Sequence, residues 1–259
     1  MTSIAHLLEA CKLPEDWYHS VSVISAMTTS TPKFKELMSQ LKEETQAKVV
    51  VQGKKKLDDR YTFNQGWYDA LLNTDMVLNT HPEAQKLTLI PDECRQIVEI
   101  GIYEGASSCF WSDFYLSHPH SRLISIDPFT GSEEHHEKPE NYPELDRIEL
   151  TARGNIAKSD NAAKIEIVKG YSWDVFPELN RRFPSGPWID VLYIDGAHDP
   201  TSVARDTTLY VPMVKSGGLV IFDDYGHPDV QRGVDGALNA FASMELALFS
   251  GWQLVCQVK

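Results

Sequence analysis

Asp190-Val191-Leu192-Tyr193-Ile194-Asp195-Gly196-Ala197-His198 is a short apolar run that ends on an acid, a glycine and a histidine. A run of this length, with β-branched residues and a turn signal at its end, reads as a strand. Four more runs of the same kind lie around it: Ile97-Val98-Glu99-Ile100, Leu123-Ile124-Ser125-Ile126, Ile165-Glu166-Ile167-Val168 and Leu219-Val220-Ile221-Phe222. They are nearly all apolar, as expected for strands covered on both faces of a parallel sheet. Helical stretches fit between most of them. This alternation predicts an α/β fold, doubly wound and Rossmann-like, with a mostly parallel sheet. A last run, Trp252 to Val258, is expected to be an antiparallel edge strand.

Upstream of the sheet the pattern changes. Residues 1–90 read as helical and irregular, and residues 91–259 as the Rossmann-like domain. Thr31-Pro32 suits a helix start, with Thr31 as N-cap and Pro32 in the first turn. Phe34, Leu37, Met38 and Leu41 then recur at helical spacing. Lys54-Lys55-Lys56 reads as a solvated turn. A second helical pattern, Trp67, Leu71, Leu72 and Met76, runs to a break at Asn79-Thr80-His81-Pro82. This region is expected to be an N-terminal helical cap or the arm of a homodimer, and the sequence leaves both open.

Composition narrows the class. The chain has 259 residues, 42% hydrophobic and 24% charged, enough for one large α/β domain with an appendage. A net charge of −13 would repel a phosphate backbone, which argues against nucleic acid as a partner. Cys11, Cys94, Cys109 and Cys256 are scattered, with no CxxC pair, and read as small core residues. Met1 to Lys12 lacks the basic-then-apolar order of a signal peptide, and no apolar run approaches a membrane span. The expectation is a cytoplasmic protein with no membrane partner.

The chemistry is expected where the strands end, because ligands of open α/β sheets bind outside the carboxyl ends. After the first strand comes Glu99-Ile100-Gly101-Ile102-Tyr103-Glu104-Gly105. Its glycines allow a sharp turn and close approach of backbone to ligand. The pattern E-x-G-x-x-x-G lacks the third glycine of a dinucleotide fingerprint. The preceding acid suits a cofactor bearing an ammonium and a sulfonium; a plain tight turn is the alternative. Asp127 lies 28 residues beyond Glu99, at the end of the next strand, where an acid can accept from ribose hydroxyls or serve as a loop acid. After the third strand, Ser172 is placed to touch an adenine flanked by Tyr171 or Trp173, or else to cap a helix between core aromatics.

Asp195, Asp223 and Asp224 end the fourth and fifth strands. Like charges at one place need a proton or a cation between them. Hard oxygen donors favour magnesium, with calcium and manganese as alternatives, and such an ion would lower the pKa of a bound hydroxyl. His198 is within reach as a general base. The plainer readings are a packed loop imidazole for His198, and only one of Asp223 and Asp224 facing the cleft. Glu133-Glu134-His135-His136-Glu137 reads as a solvated flap beside the site rather than a metal centre.

Taken together, Tyr193-Ile194-Asp195-Gly196-Ala197-His198, the run Val211 to Tyr225, Val98 to Gly105 and Ile126 to His135 resemble class I methyltransferases, including the macrocin-type sugar O-methyltransferases, over roughly residues 95–240. The resemblance implies S-adenosylmethionine as cofactor and a small-molecule hydroxyl as acceptor. It implies Glu99, Gly101, Tyr103 and Gly105 at the methionine end, Asp127 at the ribose and Ser172 near the adenine. It also implies that Asp195 belongs to both the cofactor and the catalytic sets, that Asp195, Asp223 and Asp224 hold Mg2+, and that His198 is the base. Tyr103 and Glu104 depart from the small residues usual in this turn.

Overall fold

The computed structural model describes residues 56–65, 68–80, 89, 93–238, 240–241, 243–250 and 252–259. The helix expected from Thr31 to Leu41, together with Lys54, Lys55, Trp67 and His81-Pro82, lies outside the described residues. The elements are α1 (Asp69–Thr80), β1 (Gln96–Ile100), α2 (Ala106–Tyr115), β2 (Arg122–Asp127), α3 (Glu133–Glu137), α4 (Ile148–Ile156), β3 (Ile165–Lys169), α5 (Ser172–Arg182), β4 (Ile189–Ile194), α6 (Pro200–Tyr210), β5 (Val214–Phe222), α7 (Pro228–Leu238), β6 (Met244–Phe249) and β7 (Leu254–Val258).

The strands form one seven-stranded sheet in the order β3-β2-β1-β4-β5-β7-β6. The first five are parallel and the last two run as an antiparallel extension. The fold is the expected Rossmann-like α/β architecture, with two corrections. The run ending at Val258 is antiparallel but not the edge: β7 pairs with β5 on one side and β6 on the other, and β6 is the border. The other border is β3, so Ile165–Lys169 is only half covered, not buried on both faces as its apolar residues suggested.

Period-2 geometry sorts the strand residues between two cores. Ile97, Leu123, Val191, Tyr193 and Ile221 point to one face, where they meet Leu71 and Leu72 of α1 and Phe110 and Trp111 of α2. Val98, Ile100, Ile124, Leu192 and Val220 point to the other, against Val175 of α5, Val203 of α6 and Val234 of α7. Both faces are covered, which is why the central strands carry no polar alternation. Phe110 is fully buried, and truncating it to alanine costs about 3–5 kcal/mol by cavity formation. Helix α6 starts where its sequence says it should: Asp199 accepts from Thr201 and Ser202 N–H at 3.1 and 2.9 Å, and Pro200 fills the first turn.

The described residues ahead of the sheet pack on the same core. Residues 57–65 lie along α2 and α4: Tyr61 Oη donates to Asp113 at 2.6 Å, and Asn155 exchanges bonds with the Thr62 backbone at 2.9 and 2.8 Å. Cys109 and Cys256 are buried as expected, whereas Cys94 is exposed. Among the described residues no helix is long and apolar enough to cross a membrane.

Candidate active site

Strands β1 and β4 are neighbours, but the helices that follow them, α2 and α6, pack on opposite faces of the sheet. Such a switch point opens a crevice at the carboxyl ends of the strands. A cavity of about 510 Å³ lies there, a size suited to a small molecule. The β1 turn forms one wall, Asp195, His198, Asp223 and Asp224 another, and Gln65 and Asp69 close it from the N-terminal side.

The β1 turn is shaped by backbone. Gly101 has φ 95°, and a Cβ there would sit 1.8 Å from the carbonyl oxygen of Asp195. The close approach that demands glycine is therefore to the β4 turn. Tyr103 and Phe129 also adopt positive φ, at 49° and 56°, which is unusual without glycine. Asp127 stabilises both turns: its Oδ2 accepts from Ile102 and Tyr103 N–H at 2.7 and 3.0 Å, and its Oδ1 from Phe129 N–H at 2.6 Å. Burial raises its pKa, against the lowering effect of those amides. Asp127 stands behind the cavity wall, as do Glu99 and Gly105, whereas Gly101 and Tyr103 face the cavity.

Glu99 is completely buried. Its Oε2 accepts from the hydroxyls of Ser108 and, at 2.6 Å, Ser125. Burial pushes its pKa up to about 7, against the stabilising serine hydroxyls.

The acids of β4 and β5 do not point the same way. Asp223 turns inward: Gln253 Nε2 and Asp224 N–H donate to its Oδ1, both at 2.9 Å, and Tyr193 Oη donates to its Oδ2 at 2.8 Å. Tyr193 Oη also reaches Asp195 Oδ2 at 3.2 Å. Asp224, at φ 49°, swings to the other side, where its Oδ2 meets His198 Nε2 at 2.8 Å and its Oδ1 accepts from Trp252 Nε1. Donor atoms of Asp195, His198 and Asp224 all lie within 4.8 Å of one another. The expected metal trio is thus rearranged, with His198 in the cluster and Asp223 held beneath it. Burial, then the charges of Asp223 and Asp224, raises the Asp195 pKa well above the carboxylate range; Asp223 is raised by burial and by Asp224.

Other expected site residues sit elsewhere. Ser172 opens α5 and donates its hydroxyl to buried Asp206, away from the cavity. Tyr171 and Trp173 are not core: they stack on each other with centroids 4.7 Å apart, Tyr171 is exposed, and Arg205 lies over the Trp173 ring at 4.4 Å. In the expected flap, His136 is exposed but His135 is buried. His135 stacks on Tyr103 at 5.4 Å, meets the edge of Tyr142 at 4.4 Å and lines the cavity. Glu104 is buried and accepts from the N–H groups of Asn64 and Gln65 at 2.7 and 2.9 Å, which anchors the N-terminal segment to the β1 turn. Gln65, Asp69, Tyr142 and Trp252 also line the cavity; no motif marks the first three, and in the sequence Trp252 signals only the start of a strand.

A Rossmann-like sheet with its cleft at the β1/β4 switch point and acids at the strand ends is the arrangement in which open α/β sheets hold their ligands. Residues 98–225 match the family described as "Methyltransferase domain". That similarity covers just under half of the chain and spans the strands from β1 to the end of β5. "Uncharacterized protein R132" of Acanthamoeba polyphaga mimivirus is 36% identical over 132 residues, 49% of this chain and 50% of that protein. The match thus spans about half the length of that relative. Among solved structures, the chain is similar to the O-methyltransferase TomG from Streptomyces achromogenes, with 18% identity over 74% of this chain and 90% of that one and a TM-score of 0.49. It is also similar to an O-methyltransferase from Bacillus cereus, with 16% identity over 88% and 92% and a TM-score of 0.49.

Proposed function

We propose that this chain transfers the methyl group of S-adenosylmethionine to a hydroxyl of a small-molecule acceptor. One observation carries the reading: Asp195, His198 and Asp224 meet in the cavity beside the glycine turn, inside the stretch that matches a methyltransferase domain. A hydroxyl oxygen attacks the methyl carbon in line with the C–S bond. The bond breaks, its electron pair stays on sulfur, and the hydroxyl proton must go to a base. His198 is that base, and Asp224 at 2.8 Å orients the imidazole and stabilises its charged form. Asp195 positions the hydroxyl. Much of the rate comes from alignment, which the walls of the cavity impose.

Gly101 and Tyr103 face the methionine end of the cofactor, and Glu99, Gly105 and Asp127 act from behind by holding the turn. The segment that carries Gln65 and Asp69 serves as a cap, on the strength of those two residues closing the cavity. The Ser172 hydroxyl donates to Asp206, which uses its one donor and leaves its oxygen able to accept from an adenine amino group.

The mixed donor set favours a second reading, in which a divalent cation assists. Burial, and then the neighbouring charges of Asp223 and Asp224, raise the Asp195 pKa, and three carboxylates in one pocket fit a cation. Asp195, Asp224 and His198 would hold it; the imidazole widens the choice from magnesium toward manganese and other transition ions. When bound, a cation lowers the pKa of an acceptor hydroxyl.

Calorimetry with S-adenosylmethionine and S-adenosylhomocysteine tests the cofactor. Absence of uptake of both ends the proposal. Methylation assays across an acceptor panel, with and without chelator, separate the two readings: activity untouched by chelator leaves His198 as the base, and activity restored by added Mg2+ or Mn2+ favours the cation.

A further inference from the structure

Trp252 is 47% exposed and lines the cavity. Large apolar side chains seldom stand in solvent with a fixed pose, yet this one is pinned from two directions. Its Nε1–H donates to Asp224 Oδ1. Beneath the ring lies Gly226, where a Cβ would fall 2.6 Å from Cε3, and Gly226 N–H donates to the Trp252 carbonyl at 3.2 Å. The indole is therefore a flat, oriented surface. The carboxylate that fixes it is the one that pairs with His198 through its other oxygen.

The charges of the cavity point the same way. Asp69, Glu104, Asp195, Asp223 and Asp224 line it, and no lysine or arginine does so among the described residues. Among the described residues, a phosphate or carboxylate on the acceptor would face these carboxylates with only the imidazoles of His135 and His198 to offset them.

Resting on the methyl-transfer reading above, we infer that the acceptor is a hydroxyl-bearing ring without an anionic group. It lays its flat face on Trp252 and directs a hydroxyl to His198 and Asp195. The shared chemistry is a face that packs on an indole, which a phenolic ring and a pyranose both present. Trp252 is the residue that selects for it.

The test uses the full chain saturated with S-adenosylhomocysteine and four probes: catechol, methyl β-glucopyranoside, protocatechuate and glucose 6-phosphate. At least one neutral ring is expected to bind, with its carboxylated or phosphorylated counterpart about tenfold weaker. Trp252→Ala is expected to weaken the neutral probe about tenfold and Trp252→Phe to keep most of its affinity, with the affinity for S-adenosylhomocysteine unchanged in both. Binding of catechol alone assigns a phenolic acceptor, and binding of the glucoside alone a sugar. Failure of both neutral rings on wild type, tighter binding of the anionic probes, or wild-type affinity in Trp252→Ala overturns the inference while cofactor uptake keeps the methyl-transfer reading intact. Loss of cofactor uptake by the wild type removes that reading, and the inference with it.

Discussion

The two walls of the cavity are built by opposite means. On the β1–β2 side the shape is made by backbone: Gly101, Tyr103 and Phe129 at positive φ, with the Asp127 carboxylate devoted to main-chain amides. On the β4–β5 side it is made by side chains, as Tyr193, Gln253 and Trp252 fix the directions of Asp223 and Asp224. The first wall should be intolerant of added carbon and indifferent to many polar changes. The second should hold its fold through substitutions that abolish chemistry.

The largest effect is expected at Gly101. Gly101→Ala puts a methyl into the Asp195 carbonyl at a φ that disfavours side chains, costing about 4 kcal/mol or more. Thermal denaturation should show a large drop; a melting point near that of wild type would break the backbone account. Next comes His198→Ala, expected to lower kcat by roughly 10²–10⁴-fold with an unchanged melting curve and cofactor affinity. A fall in stability matching the fall in rate would erase the distinction between the walls.

Glu99 gives a pH signature for the first wall. Its pKa rises from 4.5 in the unfolded chain to about 7 in the folded one, so between those values the folded chain binds more protons. Stability therefore falls as pH rises through this window, by about 3 kcal/mol at most, and the penalty is complete above the folded pKa. Glu99→Gln should flatten that part of the stability curve. Urea titrations at pH 5 and pH 8 check this, and equal slopes in both proteins would mean that burial of the carboxylate carries no penalty. The smallest effect lies outside both walls. Gly154 is inside α4 with nothing near its absent Cβ, so Gly154→Ala should stabilise by about 0.5–1 kcal/mol with unchanged kinetics.

The sheet was readable because hydrophobic runs and turn residues report the position of each strand end directly. Pairing depends on long-range contacts, so β6 went unread. Met244, Leu246 and Leu248 alternate, but Phe249 breaks the period and nothing local shows that the chain returns outside β7. Asp195, Asp223 and Asp224 were legible as strand-end acids. Their directions were not, since the inward turn of Asp223 depends on Gln253, thirty residues further on. For the same reason Asp127 could be located but not seen to serve main-chain amides. His135 looked solvated beside four charged or imidazole neighbours until Tyr103 and Tyr142 were brought against it.

The contact between Gly101 and the Asp195 carbonyl reaches beyond a single substitution. Two loops more than ninety positions apart in the chain interlock like adjoining tiles, with no side chain between them to absorb a mismatch. A chimera that imports one loop alone would inherit a seam that does not close. Residues 99–105 and 194–198 should be transplanted as a matched set, and a library that varies them independently would be dominated by misfits.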